Sequence, residues 1–282
     1  MPRATTLKRT SKESAPIQAV SRTLAAIELL ADAIEGVSVQ QLSEDLGLEK
    51  SIASRLLKSL LDAGYVSRDD STDTYSLSLR LLAVASRYAD RVGFPTVCQP
   101  ALEKLSDASS ELVQLSVVDH DALLLSAYAQ ARQQLAILPA LGRNTTLHAT
   151  ASGKAWLATL PEKEALKLVL HHGLTAQTPN TITEVSELTE ALAKVREDGF
   201  ALAIGEFTEE VNSIAYPVGS DRLGSVVATV AISAPASRLD RDRIAELVPL
   251  VAETAAELEA IWPIGVRRSD QLPLGDRTLA PH

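Results

Sequence analysis

The chain has 282 residues and a net charge of −9, with a pI near 5.1. At about 150 residues per domain, that length fits two domains, and the acidity taken as a whole argues against a nucleic-acid coat protein or one held on acidic membranes. Hydrophobic residues make up 46% and aromatics only 4%, so the core must be built from Leu, Ala, Val and Ile, and aromatic stacking platforms for single strands are not expected. The single cysteine, Cys98, excludes an intramolecular disulfide and a Cys-cluster metal site. No run of the roughly 18 apolar residues needed for a membrane span occurs, and no apolar signal-peptide core. A reducing cytoplasm is the expected compartment, with no membrane partner and no cofactor.

Residues 1–15 are polar and unpatterned, with Arg3, Lys8, Arg9 and Lys12, and read as a flexible basic arm. A helix is predicted over 21–34, with Leu24, Ile27 and Leu30 at helical spacing and Gly36 after it. Ser38 is placed to cap a short helix carrying Val39, Leu42 and Leu46. Gly47 ends it, and a third helix runs to Ala63. Its predicted apolar face is Ile52, Leu56, Leu57, Leu60 and Leu61, and its polar face is Lys50, Ser51, Ser54, Arg55, Lys58 and Ser59. Two short strands at 65–68 and 74–79 flank a turn of Asp, Ser and Thr. A linker helix at 80–92 ends at Gly93 and Pro95.

Further on, a helix is expected at 96–110 and strands at 112–118, 122–128 and 133–138. Helices follow at 152–160, 163–171 and 185–198, then strands at 200–205, 213–218 and 225–233, then a helix at 240–261. The tail from Pro263, rich in Pro, Gly and Arg, reads as mobile.

Residues 38–63 have the spacing of a helix-turn-helix. A helix fits the major groove, where Arg can hold guanine bidentately and Ser or Lys can bind phosphate. The hairpin after the third helix would be a wing, with Arg68 its most useful cation. A three-helix module with a merely solvated polar face is the competing reading. The charge distribution favours DNA: residues 1–80 carry 10 cations and 11 acids, whereas 81–282 carry 17 and 25. The acidity therefore belongs mostly to the second part, and the whole-chain sum misleads. An enzyme has little support. There is no G-x-S-x-G elbow, Gly153-Lys154 is not a P-loop because His148 stands where its first Gly belongs, and His171-His172 are adjacent rather than at zinc spacing.

Over about residues 17–262 the chain resembles IclR-family transcriptional regulators. The N-terminal blocks are 19–24 (AVSRTL), 47–51 (GLEKS), 55–57 (RLL) and 64–66 (GYV). The C-terminal blocks are 147–155 (LHATASGKA), 178–183 (TPNTIT), 195–201 (VREDGFA), 215–218 (AYPV) and 235–239 (PASRL). The resemblance implies an α+β chain. It has a flexible arm (1–15), a winged helix-turn-helix DNA-binding domain (16–79), a linker helix (80–93), a GAF-like α/β effector-binding domain with a mostly antiparallel sheet (94–262) and a tail (263–282).

It further implies Arg22, Ser38, Lys50, Ser51, Ser54, Arg55, Lys58 and Arg68 as contacts to double-stranded operator DNA. Ile137, Ala151, Ser152, Ala203, Ser213, Ala231 and Ser233 would line a site for a small organic acid. A homodimer or dimer of dimers is implied, with Leu81, Leu82, Val84 and Ala85 of the linker helix at the contact. Members that bind small oxo-acids tend to carry Asp, Cys and Ser where this chain has Ala203, Ser213 and Ala231. The expected ligand is therefore bulkier, an aromatic or longer-chain acid. A regulator without an effector is the alternative. Individual roles also have plainer readings: Ser152 as a helix cap, His148 bonding backbone, Arg196 in a surface or interdomain ion pair, and Glu206, Glu209 and Glu210 as a solvated acidic loop.

Overall fold

The computed structural model describes residues 17–131, 137, 139, 141–220 and 225–263. The arm, most of the tail and the strand expected at 133–138, apart from Ile137, lie outside the described residues. The chain forms two compact units, the first ending at Tyr88 and the second starting at Ala89.

The first unit holds α1 (Gln18–Asp32), β1 (Val37–Ser38), α2 (Val39–Asp45), α3 (Lys50–Asp62), β2 (Val66–Asp69) and β3 (Thr74–Leu77). Ser38 caps α2, its Oγ accepting from the Gln41 N–H at 3.1 Å. β1 was not anticipated. It pairs antiparallel with β3, so the hairpin becomes a three-stranded sheet in the order β1-β3-β2. Gly36 permits this: it sits at φ +81°, and a Cβ there would stand 2.7 Å from Ser76 Oγ and 2.9 Å from the Tyr75 carbonyl.

The buried face of α3 is Ala53, Leu56, Leu57 and Leu60, the i, i+3, i+4, i+7 pattern. Ile52 and Leu61 lie at its edge and are only half-buried, because Ala53 occupies the centre against the other helices. Leu30, Leu42, Val66 and Tyr75 complete this core.

α4 (Leu79–Val92) spans the division between the units and buries none of its residues; Leu79, Leu82, Val84 and Tyr88 are exposed. The second unit follows with α5 (Gln99–Ser109), β4 (Leu112–Asp119), β5 (Ala122–Gln130), α6 (Ala151–Thr159), α7 (Glu162–His172), α8 (Val185–Asp198), β6 (Ala201–Ile204), β7 (Val211–Ser220), β8 (Ser225–Pro235) and α9 (Arg241–Ile261). α5 starts three residues later than predicted, after turns that include a cis Phe94–Pro95 bond.

The five strands form one antiparallel sheet in the order β5-β4-β8-β7-β6. α5 and α9 cover one face, over Val113, Leu115, Ile214, Val230 and Ile232. α6 covers the other, over Ala201, Ala203, Ala215 and Ala231, with α7 and α8 beyond it. α6 is a central helix, buried from Ala151 to Ala158 with Lys154 among its buried residues. The small side chains let it lie close to the sheet. At Gly153 a Cβ would overlap the Leu147 carbonyl. No described helix is long and apolar enough to cross a membrane.

Candidate functional site

On α3, the residues Lys50, Ser51, Ser54, Arg55 and Lys58 are all exposed, opposite the buried face. Among the described residues, Lys50, Arg55 and Lys58 form no ion pair, so three cations stand free on one helix. Glu49 precedes them without a capping bond of its own, and its Oε2 lies 3.5 Å from Ser51 Oγ. Arg22 on α1 and the capping Ser38 are half-buried.

Arg68 differs from the α3 cations. Its Nε and Nη2 donate to Asp73 Oδ1 at 3.0 and 2.7 Å, with Asp70 at 3.7 Å. Its guanidinium lies 5.8 Å from the Tyr75 ring centre. The bond and charge of Asp73 hold its pKa above the usual arginine value. The wing's cation is therefore already neutralised inside the wing.

In the second unit the sheet register brings together residues far apart in sequence. Ala203 pairs with Ser213, Ser213 with Ser233, Ser233 with Leu112, and Leu112 with Gln130. Cross-strand partners point to the same face, so these five form one row. The next row on that face is Ala201, Ala215, Ala231, Gln114 and Tyr128. Ser233 Oγ donates to Gln114 Oε1 at 2.9 Å, and Gln130 Nε2 donates to the Ile137 carbonyl at 3.1 Å.

Ala151 and Ser152 occupy the first turn of α6, which packs over this face. Ala203, Ser213, Ala231 and Ser233 thus share one sheet face beneath the helix that carries Ala151 and Ser152, and the Ile137 carbonyl is bonded by Gln130 of that face. Gln114 and Gln130 are additional polar residues of that face, missed because β4 and β5 read as continuous apolar runs.

Several plainer readings need correcting. Ser152 is not the cap of α6: Thr150 is, its Oγ1 accepting from the Gly153 N–H at 3.1 Å. The Ala151 and Ser152 N–H groups reach no acceptor among the described residues. Free amides at a helix start suit a carboxylate. Among the described residues Arg196 forms no ion pair; its Nε and Nη2 donate to the Ala158 and Leu160 carbonyls at the end of α6, at 2.8 and 3.4 Å. Glu206 is not solvated. It is 8% exposed, and both its carboxylate oxygens accept from Lys154 Nζ at 2.6 Å.

His148 does bond backbone, its Nε2 lying 3.0 Å from the Thr175 carbonyl oxygen. Burial lowers its pKa below the usual histidine value, outweighing the Thr175 bond and the Glu206 charge, so the ring is neutral at pH 7. Burial pushes the Cys98 thiol up to about 11, which leaves it protonated and unsuited to nucleophilic work. Among the described residues no group of three or more His, Cys, Asp or Glu could hold a metal.

The family model for the "Bacterial transcriptional regulator IclR C-terminal" matches residues 86–260, and that for the "IclR helix-turn-helix domain" matches 19–70. The chain belongs to the IclR family of transcriptional regulators. It is a DNA-binding regulator, not an enzyme. It is 31% identical over 241 residues to the HTH-type transcriptional repressor AllR of Escherichia coli K12, covering 86% of this chain and 89% of that one. Among solved structures, an IclR transcriptional regulator from Silicibacter is 27% identical at a TM-score of 0.75, covering 90% of this chain and 99% of that one. A double mutant of the PobR transcription factor inducer-binding domain from Acinetobacter, in complex with 3-hydroxybenzoic acid, is 29% identical at a TM-score of 0.54. That match covers 59% of this chain and 97% of the other.

Proposed function

We propose that this IclR-family regulator represses transcription from an operator gripped by α3, and that an aromatic or similarly bulky organic acid in the second unit controls the grip. The observation that carries the acid site is the double row of Ser213, Ser233, Gln114 and Gln130 beside Ala203 and Ala231, lying beneath two free amides at the start of α6. The amides suit a carboxylate, the Ser and Gln side chains offer hydrogen bonds, and the two alanines leave room for a ring. The PobR double mutant's complex with 3-hydroxybenzoic acid supports that ligand class, and AllR's designation as a repressor supports the sign of control.

Lys50, Ser51, Ser54, Arg55 and Lys58 are the proposed groove contacts, with Arg22 and Ser38 at the flanks. Arg68 contributes little because Asp73 holds it. The arm (1–15) would add phosphate contacts to the winged domain (16–79), and α4 would join two copies through Leu81, Leu82, Val84 and Ala85 into a cytoplasmic dimer or dimer of dimers. The acid domain would extend over 94–262.

Calorimetry with 3-hydroxybenzoate and with glyoxylate tests the ligand class. Binding of the aromatic acid alone, or much more tightly, is the expected result. Tight glyoxylate binding with no binding of aromatic acids would refute it.

A further inference from the structure

The second unit buries one complete ion pair that the proposed DNA and acid contacts do not use. Lys154 Nζ sits 2.6 Å from both Glu206 oxygens, and the two side chains are 4% and 11% exposed. Burial pulls the Lys154 pKa below the usual lysine value, against the charge and hydrogen bond of Glu206. Taking two charges out of water costs several kcal/mol each, and an apolar pair of equal volume is often as stable. Stability alone therefore does not account for it. A bidentate contact does fix geometry, and what it fixes here is specific.

Lys154 lies one residue beyond Gly153, in the second turn of α6, and Ser152 is in the first. Glu206 is the second residue of the tight loop that leaves β6. Its Oε1 also accepts from the Ile204 N–H at 3.3 Å, next to Ala203. The Glu206 carbonyl accepts from Thr181 Oγ1 at 2.6 Å, and the Gly205 carbonyl from Thr178 Oγ1 at 2.6 Å. Thr181 Oγ1 in turn accepts from the Thr178 N–H at 2.8 Å. Gly205 is at φ +62°, and a Cβ there would stand 2.7 Å from the Glu209 carbonyl and 2.9 Å from Asn180 Nδ2, so the loop has no slack. Three segments are thus pinned together: the start of α6, the exit of β6 and the 178–181 turn.

We propose that Lys154 and Glu206 are positioning residues for the acid site. Resting on the ligand reading above, the pair sets the gap between the amides of Ala151 and Ser152 and the row of Ala203 and Ser213. Neither charge touches the ligand. The pair holds the two walls at the separation an aromatic carboxylate needs.

The test compares wild type, Glu206→Gln and the apolar double variant K154M/E206L in the full chain. Hydrogen exchange is read at 151–153, 178–181 and 204–206, together with melting temperature and calorimetry with 3-hydroxybenzoate. The expected result for the double variant is a melting temperature near wild type, exchange at these segments at least tenfold faster, and affinity for the acid at least tenfold weaker. Should that variant not fold, Glu206→Gln, which keeps shape and removes charge, is expected to show the same acceleration at neutral pH. Wild-type exchange rates in the folded variants would overturn the positioning role, whatever binds. Faster exchange with no wild-type binding of 3-hydroxybenzoate would sink the ligand reading and leave only the pinning of the three segments, whereas faster exchange with wild-type affinity for the acid would overturn the positioning of the acid site.

Discussion

A helix of the first unit and the core of the second use their cations in opposite ways. In the first, α3 holds Lys50, Arg55 and Lys58 exposed and without ion pairs among the described residues. In the second, Lys154 is buried against Glu206, and Arg238 donates bidentately to the buried Glu111 at 2.6 and 2.7 Å. Free cations in water can be given to phosphates and base edges. Cations already paired inside a fold can only organise that fold. The candidate DNA face keeps three cations unpaired while these two organise the second unit, and so a net charge of −9 over the whole chain is compatible with a DNA-binding protein.

The strongest way to break this comparison is to orphan one buried charge. Glu206→Leu leaves Lys154 in an apolar site without a partner and should cost about 3–5 kcal/mol. A chemical denaturation midpoint close to wild type would show that the pair is not paired in solution. Next in size, Arg55→Ala should weaken operator binding by about 1–3 kcal/mol, roughly five- to 150-fold. A gel shift at physiological salt that matches wild type would remove Arg55 from the reading surface.

A smaller effect is expected with pH. His148 is held neutral by burial, with its folded pKa below the ordinary 6.5. As pH falls below 6.5 the unfolded chain takes up a proton that the folded chain refuses, so stability is lost on acidification. Melting curves between pH 7.5 and 5.5 should fall more steeply for wild type than for His148→Asn, and equal slopes would contradict the assignment. The smallest effect should come from Arg68→Ala, because Asp73 already neutralises that side chain. Its operator affinity is expected within about twofold of wild type, in keeping with the small value of exposed pairs. A loss as large as that of Arg55→Ala would show that the wing releases Arg68 to DNA.

Most of the fold was legible because its signals are local. Gly36, Gly47 and Gly64 punctuate the helices of the first unit, Ser38 caps α2, and the apolar spacing of α3 identifies its inner side. What escaped notice depended on distant partners. β1 is two residues long and exists only because β3 offers an edge. The proposed acid-site residues could be named one by one from the resemblance, but Gln114 and Gln130 join their rows only through strand register. The role of Glu206 was invisible for the same reason. Its partner is 52 positions away, on a helix whose lysine reads as surface in any local window. An exposed acidic loop and a buried ion pair have the same composition.

The central claim is that an acid bound on the α6-covered sheet face governs the hold of α3 on DNA. Its most direct test is a gel-shift titration of the full chain on a duplex recovered by binding-site selection, with and without saturating 3-hydroxybenzoate. Coupling between two sites is typically 5- to 150-fold, and for a repressor released by its ligand the acid should weaken operator affinity by about tenfold or more. Identical titrations with and without the acid, under conditions where calorimetry shows it bound, would contradict the account.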